Sequence, residues 1–172
     1  MSGPVNFNET CSCPAQSSTV QQTFAVQQVG LQALPSPGQG YTSTPSNYHG
    51  TQNLNAIPEV VSRLQGVPLL FASTATQANV GPAVTLTYTG LSLPLGGLFD
   101  LNGDWASPHC AHRDGRNADI LIVDTSVAPA VPKVPVSQRR ALATAIYALG
   151  FTMPVLAEQA QNESANHWHL VR

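Results

Sequence analysis

Four of the five histidines lie in two short segments, His109 and His112 in PHCAHRDGRNADI and His167 and His169 in ESANHWH; the fifth is His49. Imidazole is the commonest protein ligand for zinc-like metals, and imidazoles grouped with a carboxylate are what such a site needs. On a strand, residues i and i+2 point to one face. His167 and His169 would therefore project together and leave Trp168 and Leu170 to the core. His112 and Asp119 stand seven apart with Gly115 between them, and a glycine there permits a turn that folds the loop back. Asp119 opens the run ILIV, which would hold its carboxylate on rigid structure. If that run pairs near HWHLV, then His112, Asp119 and His169 form a three-donor set with a fourth position left for water. Zinc held in this way lowers the pKa of a bound water to roughly 7, which makes hydroxide available at neutral pH.

Hydrolysis also needs a base and a stabiliser for the developing oxyanion. Glu163, four residues before His167, is the best-placed carboxylate to take the water proton. His167 is the candidate to steady the tetrahedral intermediate or to share the proton work. His109 suits a place behind the metal or at the surface better than a place among its ligands. Arg113 and Arg116 flank the motif. Each can grip a substrate carboxylate with its planar fork, or stand as a structural or solvated arginine. Cys110 reads as a small buried hydrophobe. DLNGD (100–104) offers oxygen ligands but lacks the loop length and terminal glutamate of a calcium cage.

The two histidine segments resemble a superfamily that groups lysostaphin-type peptidases, D-alanyl-D-alanine peptidases and the amino-terminal signalling domain of hedgehog proteins. Its pattern is H-x6-D followed by H-x-H, here His112-RDGRNA-Asp119 and His167-Trp-His169. HRDGRNADI is similar to the hedgehog H-x-x-G-R-A-x-D-I segment, and ESANHWH to its E-S-x-x-H-x-H segment. The earlier H-x-x-H of His109 and His112 is similar to that of penicillin-insensitive murein endopeptidases, where the first histidine lies close to the metal. The resemblance covers about residues 95–123 and 140–172. It implies zinc on His112, Asp119 and His169, and Glu163 in the general-base place. It also implies an α+β fold of the hedgehog/DD-peptidase kind, with a central, largely antiparallel sheet and two or more flanking helices. Peptide-bond hydrolysis in cell-wall peptidoglycan or short peptides is the activity expected. Hedgehog domains keep the zinc yet are known for binding partners, so a non-catalytic zinc-containing binding module is the alternative.

The elements that must position these residues are partly legible. IPEVVSRLQ (57–65) has the helical spacing of Val60, Val61 and Leu64, with Pro58 suited to the first turn. PLLFAS (68–73) reads as a short apolar strand. AVTLTYTG alternates, with Val84, Leu86 and Tyr88 on one face. ADILIVD (118–124) reads as a buried strand, and 126–136, with three prolines, as a loop. SQRRALATAIYALG reads as a helix capped by Ser137 and stopped by Gly150, with Leu142, Ala145, Ile146 and Leu149 as its stripe. Strands are expected at 152–158 and over HWHLVR.

Residues 1–52, rich in Ser, Gln, Pro, Gly and Thr, read as an extended or flexible arm or linker that could wrap the domain, with a short strand at 23–29; residues 53–172 read as the zinc peptidase-like domain. The chain has 172 residues, 42% of them hydrophobic, enough for one core. Only 9% are charged and the net charge is −2, against roughly 25% charged in an average soluble protein. That composition argues against nucleic acid and anionic membrane surfaces as partners, both of which need clustered Lys and Arg. No segment reads as membrane-spanning, and MSGPVNFNET has neither part of a signal peptide. An extracellular or cell-envelope protein, or a released lysis enzyme, is the expected setting. Cys11, Cys13 and Cys110 make an odd count, which is against a disulfide framework.

Overall fold

The β-branched run after Asn117 and the alternating C-terminal segment both form strands, and they pair with each other. A computed structural model of the chain describes the backbone at 5–13 and 16–24, together with residues 30–45, 53–94, 96, 112, 114–152 and 166–172. In chain order the strands are β1 (Val5–Cys13), β2 (Gln16–Phe24), β3 (Gln32–Ala33), β4 (Tyr41–Ser43) and β5 (Asn55–Ala56). Helix α1 (Pro58–Gln77) follows, then β6 (Leu86–Gly90), β7 (Asn117–Leu121), β8 (Val123–Asp124) and β9 (Val131–Pro132). Helix α2 (Val136–Ala148) and β10 (His167–Val171) complete the set. The architecture is α+β. A four-stranded sheet in the order β10-β7-β6-β4 is antiparallel except for the parallel β4–β6 pair. Strands β1 and β2 form a separate hairpin; β3 pairs with β5, and β8 with β9.

One face of the sheet builds the core. Leu86 and Tyr88 of β6, Ala118 and Ile120 of β7, and Trp168 and Leu170 of β10 are buried in one cluster with Val60, Leu64 and Phe71 of α1 and Leu142 and Ile146 of α2. The strand period of two then sends Asp119 and His169 to the opposite face. Each large apolar side chain buried here contributes about 1.5–3 kcal/mol relative to exposure, so a one-residue slip of β7 or β10 would exchange that gain for buried polar groups. Trp168 lies in the core, as its alternation with the histidines implies.

Two expectations are revised. The segment 68–73 is helix, not strand: α1 continues from Pro58 to Gln77, straight through Pro68. A proline inside a helix has no N–H for the carbonyl four residues earlier. Here that carbonyl belongs to Leu64, and the Tyr88 hydroxyl donates to it at 2.7 Å. Burial pushes the Tyr88 phenol well above its ordinary range, with a smaller push from Tyr41, so it stays neutral and able to donate. The cap of α2 is also different. Pro135 occupies the N-cap position with no side-chain cap, and Ser137 lies within the first turn. The arm meets the domain over part of its length, as an arm that wraps it would. Over 30–45 it adds β4 to the central sheet and buries Leu34 and Tyr41, whose ring meets Tyr88 edge-on at 5.3 Å. The expected strand at 23–29 overlaps the end of β2; residues 25–29 lie outside the described residues, as do 153–158 of the strand expected at 152–158. Thr152 does bridge Val171. Among the described residues no helix is long and apolar enough to cross a membrane.

Candidate metal centre

Strand register brings two of the three donors together. His169 stands directly opposite Asp119 in the β10–β7 pair, on the face away from the helices. A β-bulge in β6 shifts the next rung, so that Gly90 rather than Thr89 faces Asp119. No side chain of β6 therefore stands across from the carboxylate. Bulges of this kind re-aim strands beside functional sites.

His112 arrives from a loop. Its backbone is left-handed, with φ of 66°, a conformation that histidine tolerates better than most side chains but that costs about 1–3 kcal/mol and persists only where the surroundings hold it. The surroundings do hold it. The Ser92 hydroxyl donates to the His112 carbonyl at 2.5 Å and accepts from the Gly115 N–H at 2.7 Å. Gly115, also left-handed at φ 73°, has its carbonyl bonded by the Ile57 N–H at 3.1 Å. Asp114 closes the turn by accepting from the Arg116 N–H at 3.0 Å. These bonds hold His112, Asp114 and Gly115 at the entry to β7, with the His112 imidazole against Asp119.

His112 Nε2 lies 3.2 Å from Asp119 Oδ2, and His169 Nδ1 lies 2.8 Å from Asp119 Oδ1. The two rings are 4.9 Å apart, nearly perpendicular at 83°. One donor atom from each residue can be chosen so that all three lie within 4.8 Å of one another. Zinc bonds of about 2.0–2.2 Å in a tetrahedron separate neighbouring donors by about 3.4 Å, so small side-chain adjustments admit an ion. Two imidazoles and a carboxylate also match the donor chemistry of a three-ligand zinc site. These three residues form a group able to hold a metal ion. His112 and Asp119 are buried, while the His169 side chain is 24% exposed, so the centre opens on the β10 side. Burial alone would raise the Asp119 carboxyl. Hydrogen bonds from His112 and His169, reinforced by the charges on those rings, outweigh it and hold the group well below the usual carboxylate range. It is therefore ionised, as a ligand must be.

The remaining candidates are placed as follows. His167 is on β10, exposed, two residues before His169, with its Nδ1 2.5 Å from the Asn166 side-chain oxygen. The two histidines share a face but their Cα atoms are about 7 Å apart by strand rise, and His167 is not part of the three-donor group. Arg116 stands at the entry to β7, half exposed, with its Nε 3.7 Å from Asp114 Oδ2. Glu163, His109, Arg113, Cys110 and the 100–104 turn lie outside the described residues. Sequence reasoning missed Ser92. Nothing in LSL distinguishes it, because both its partners are distant in the chain. Compared with known protein families and with curated protein sequences, the chain matches none.

Proposed function

We propose that the protein is a zinc-dependent peptidase acting on cell-wall peptidoglycan or short peptides, in the manner of the superfamily its histidine segments resemble. The observation that carries this reading is the convergence of His112, Asp119 and His169 on the sheet face away from the helices, with donor atoms within 4.8 Å. In it, His112 Nε2, one Asp119 oxygen and His169 Nδ1 hold the ion. Zinc supplies Lewis acidity toward a carbonyl and a water made acidic near neutral pH. The chain's own groups do the rest. Asp119, kept ionised by the two imidazoles, offsets the cation's charge in a buried setting. The exposed edge of His169 marks the side from which a peptide approaches. His167, exposed on the same face, is in this reading the donor of a hydrogen bond to a substrate oxygen. Glu163 takes and returns the proton, a role resting on its spacing and on the resemblance.

A second reading has its own support. Two of the three donors are deeply buried, which is what a structural ion in a binding module requires. Metal content and hydrolysis separate the two. Elemental analysis of purified protein is expected to give one zinc per chain, and incubation with purified peptidoglycan or a peptide library to release new amino groups. Glu163→Gln is expected to keep the zinc and abolish release. Zinc without any release by the wild-type protein favours the binding module; no zinc overturns both.

A further inference from the structure

We infer that Ser92 is a positioning residue for the metal centre, fixing the direction of the His112 imidazole; the inference rests on reading the triad as a zinc site. Ser92 is fully buried. Its hydroxyl uses its proton on the His112 carbonyl and a lone pair on the Gly115 N–H, and so ties these two residues to one atom. The anchor is itself held. Ser92 exchanges backbone hydrogen bonds with Asn55, at 2.8 and 2.9 Å, and Leu91 donates to the Asn53 carbonyl at 2.7 Å. Ile57, two residues after Asn55, holds the carbonyl of Gly115. Residues 55–57 thus brace the hydroxyl and the turn it clasps.

The consequence for the metal follows from register. Gly90 faces Asp119 across the β6–β7 rung, and two residues later Ser92 grips the backbone of His112. One short stretch, 90–92, therefore sets the spacing between two ligands, one on a loop and the other on the strand that follows it. The third, His169, is registered to Asp119 by its own rung. A left-handed His112 points its Cβ in a direction that extended backbone would not give. Without the Ser92 hydroxyl, the bonds to the His112 carbonyl and the Gly115 N–H are both lost, and the backbone here has a reason to relax. The imidazole would then swing off the tetrahedral position, although nothing that touches the ion has changed. Groups one step removed from a metal typically set about 10–100-fold in affinity.

The test compares wild type with Ser92→Ala, Ser92→Thr and Leu142→Ala, the last a core truncation on α2 that destabilises without touching the turn. Zinc and cobalt(II) affinities are read by competition with a chromophoric chelator, and the visible bands of the cobalt(II) protein report ligand geometry. Ser92→Ala is expected to bind about 10–100-fold more weakly and to shift or weaken the cobalt bands. Leu142→Ala, at an equal or larger loss of Tm, is expected to keep wild-type affinity and spectrum. Ser92→Thr, which restores a hydroxyl, is expected to move both back toward wild type. Wild-type affinity and spectrum in Ser92→Ala would overturn the proposal. If Ser92→Ala does not fold, Ser92→Cys, with its weaker donor, is expected to fall between, and full wild-type behaviour there is equally fatal. If the wild-type protein takes up neither metal, the zinc reading fails by itself. Amide exchange at Gly115 in metal-free protein then decides the role of Ser92: slow in wild type and fast in Ser92→Ala supports it, and slow in both removes it.

Discussion

Gly115→Ala tests whether the His112 turn is as tightly clasped as its geometry implies. A Cβ added there would sit 2.4 Å from Leu31 Cδ2, 2.8 Å from the Ile57 nitrogen and 3.2 Å from the Ala56 carbonyl carbon. The leucine methyl can rotate aside. The two backbone atoms cannot, because the Ile57 N–H is bonded to the Gly115 carbonyl itself. The left-handed backbone adds about 1–2 kcal/mol, and overpacking typically about 1–3 kcal/mol. Loss of unfolded-state freedom returns about 0.4–1 kcal/mol. The net loss is about 2–4 kcal/mol. Gly81 provides the control, since its φ is 85° yet its nearest neighbour, Gln138 Nε2, would be 4.0 Å from a Cβ. Gly81→Ala therefore carries only the backbone cost, with a net loss of about 1 kcal/mol. Urea unfolding in chelator-treated buffer measures both without a contribution from bound metal, and an unchanged slope with denaturant licenses the comparison. Gly115→Ala should lose about 1–3 kcal/mol more than Gly81→Ala, the overpacking difference alone. Equal losses would mean that residues 55–57 yield to the new methyl, and the argument for a rigid turn would fail.

Three further outcomes are expected. Saturating zinc, at about a thousand times its Kd, should stabilise the wild-type fold by about 4 kcal/mol, or about 8–16 °C in Tm at roughly 2–4 °C per kcal/mol; His169→Ala should show no such rise, and an equal rise in that variant would remove His169 from the ligand set. Tyr88→Phe leaves the Leu64 carbonyl without the hydroxyl that replaces the missing Pro68 N–H, and should cost about 1–3 kcal/mol; in a Pro68→Ala background, where the helix supplies its own N–H, the same change should cost measurably less, and an equal cost in both backgrounds would refute the compensation. Glu59 is held below its ordinary range by hydrogen bonds from Arg172 and Arg63 and their charges, so the stability it contributes is present above the unfolded-state pKa and lost as pH falls through the lower folded value. Tm profiles of wild type and Glu59→Gln should converge on the acid side of that window, and parallel profiles would show that the exposed cluster adds no pH dependence.

The candidate metal group was legible because two of its three members rest on short-range rules. Alternation in HWHLV placed His169 opposite Trp168, and the β-branched run after Ala118 fixed a strand for Asp119. A strand pair then needed only the correct register, which burial of Trp168 and Ile120 on the other face enforces. What failed to be legible depends on partners far away in the chain. Pro68 reads locally as a break, and α1 passes through it because a tyrosine from β6 bonds the orphaned carbonyl. The β4 segment, YTS, reads locally as linker; it becomes strand by pairing in parallel with Leu86–Tyr88, with Tyr41 buried against Tyr88. Ser92 lies between these cases and the site. Its neighbours in sequence say nothing, yet through backbone bonds to Asn55 and side-chain bonds to His112 and Gly115 it joins the bulged end of β6 to the loop. Histidine and aspartate spacing can thus pick out the candidate metal group, while the serine that bonds the loop histidine's carbonyl is one that no spacing rule selects.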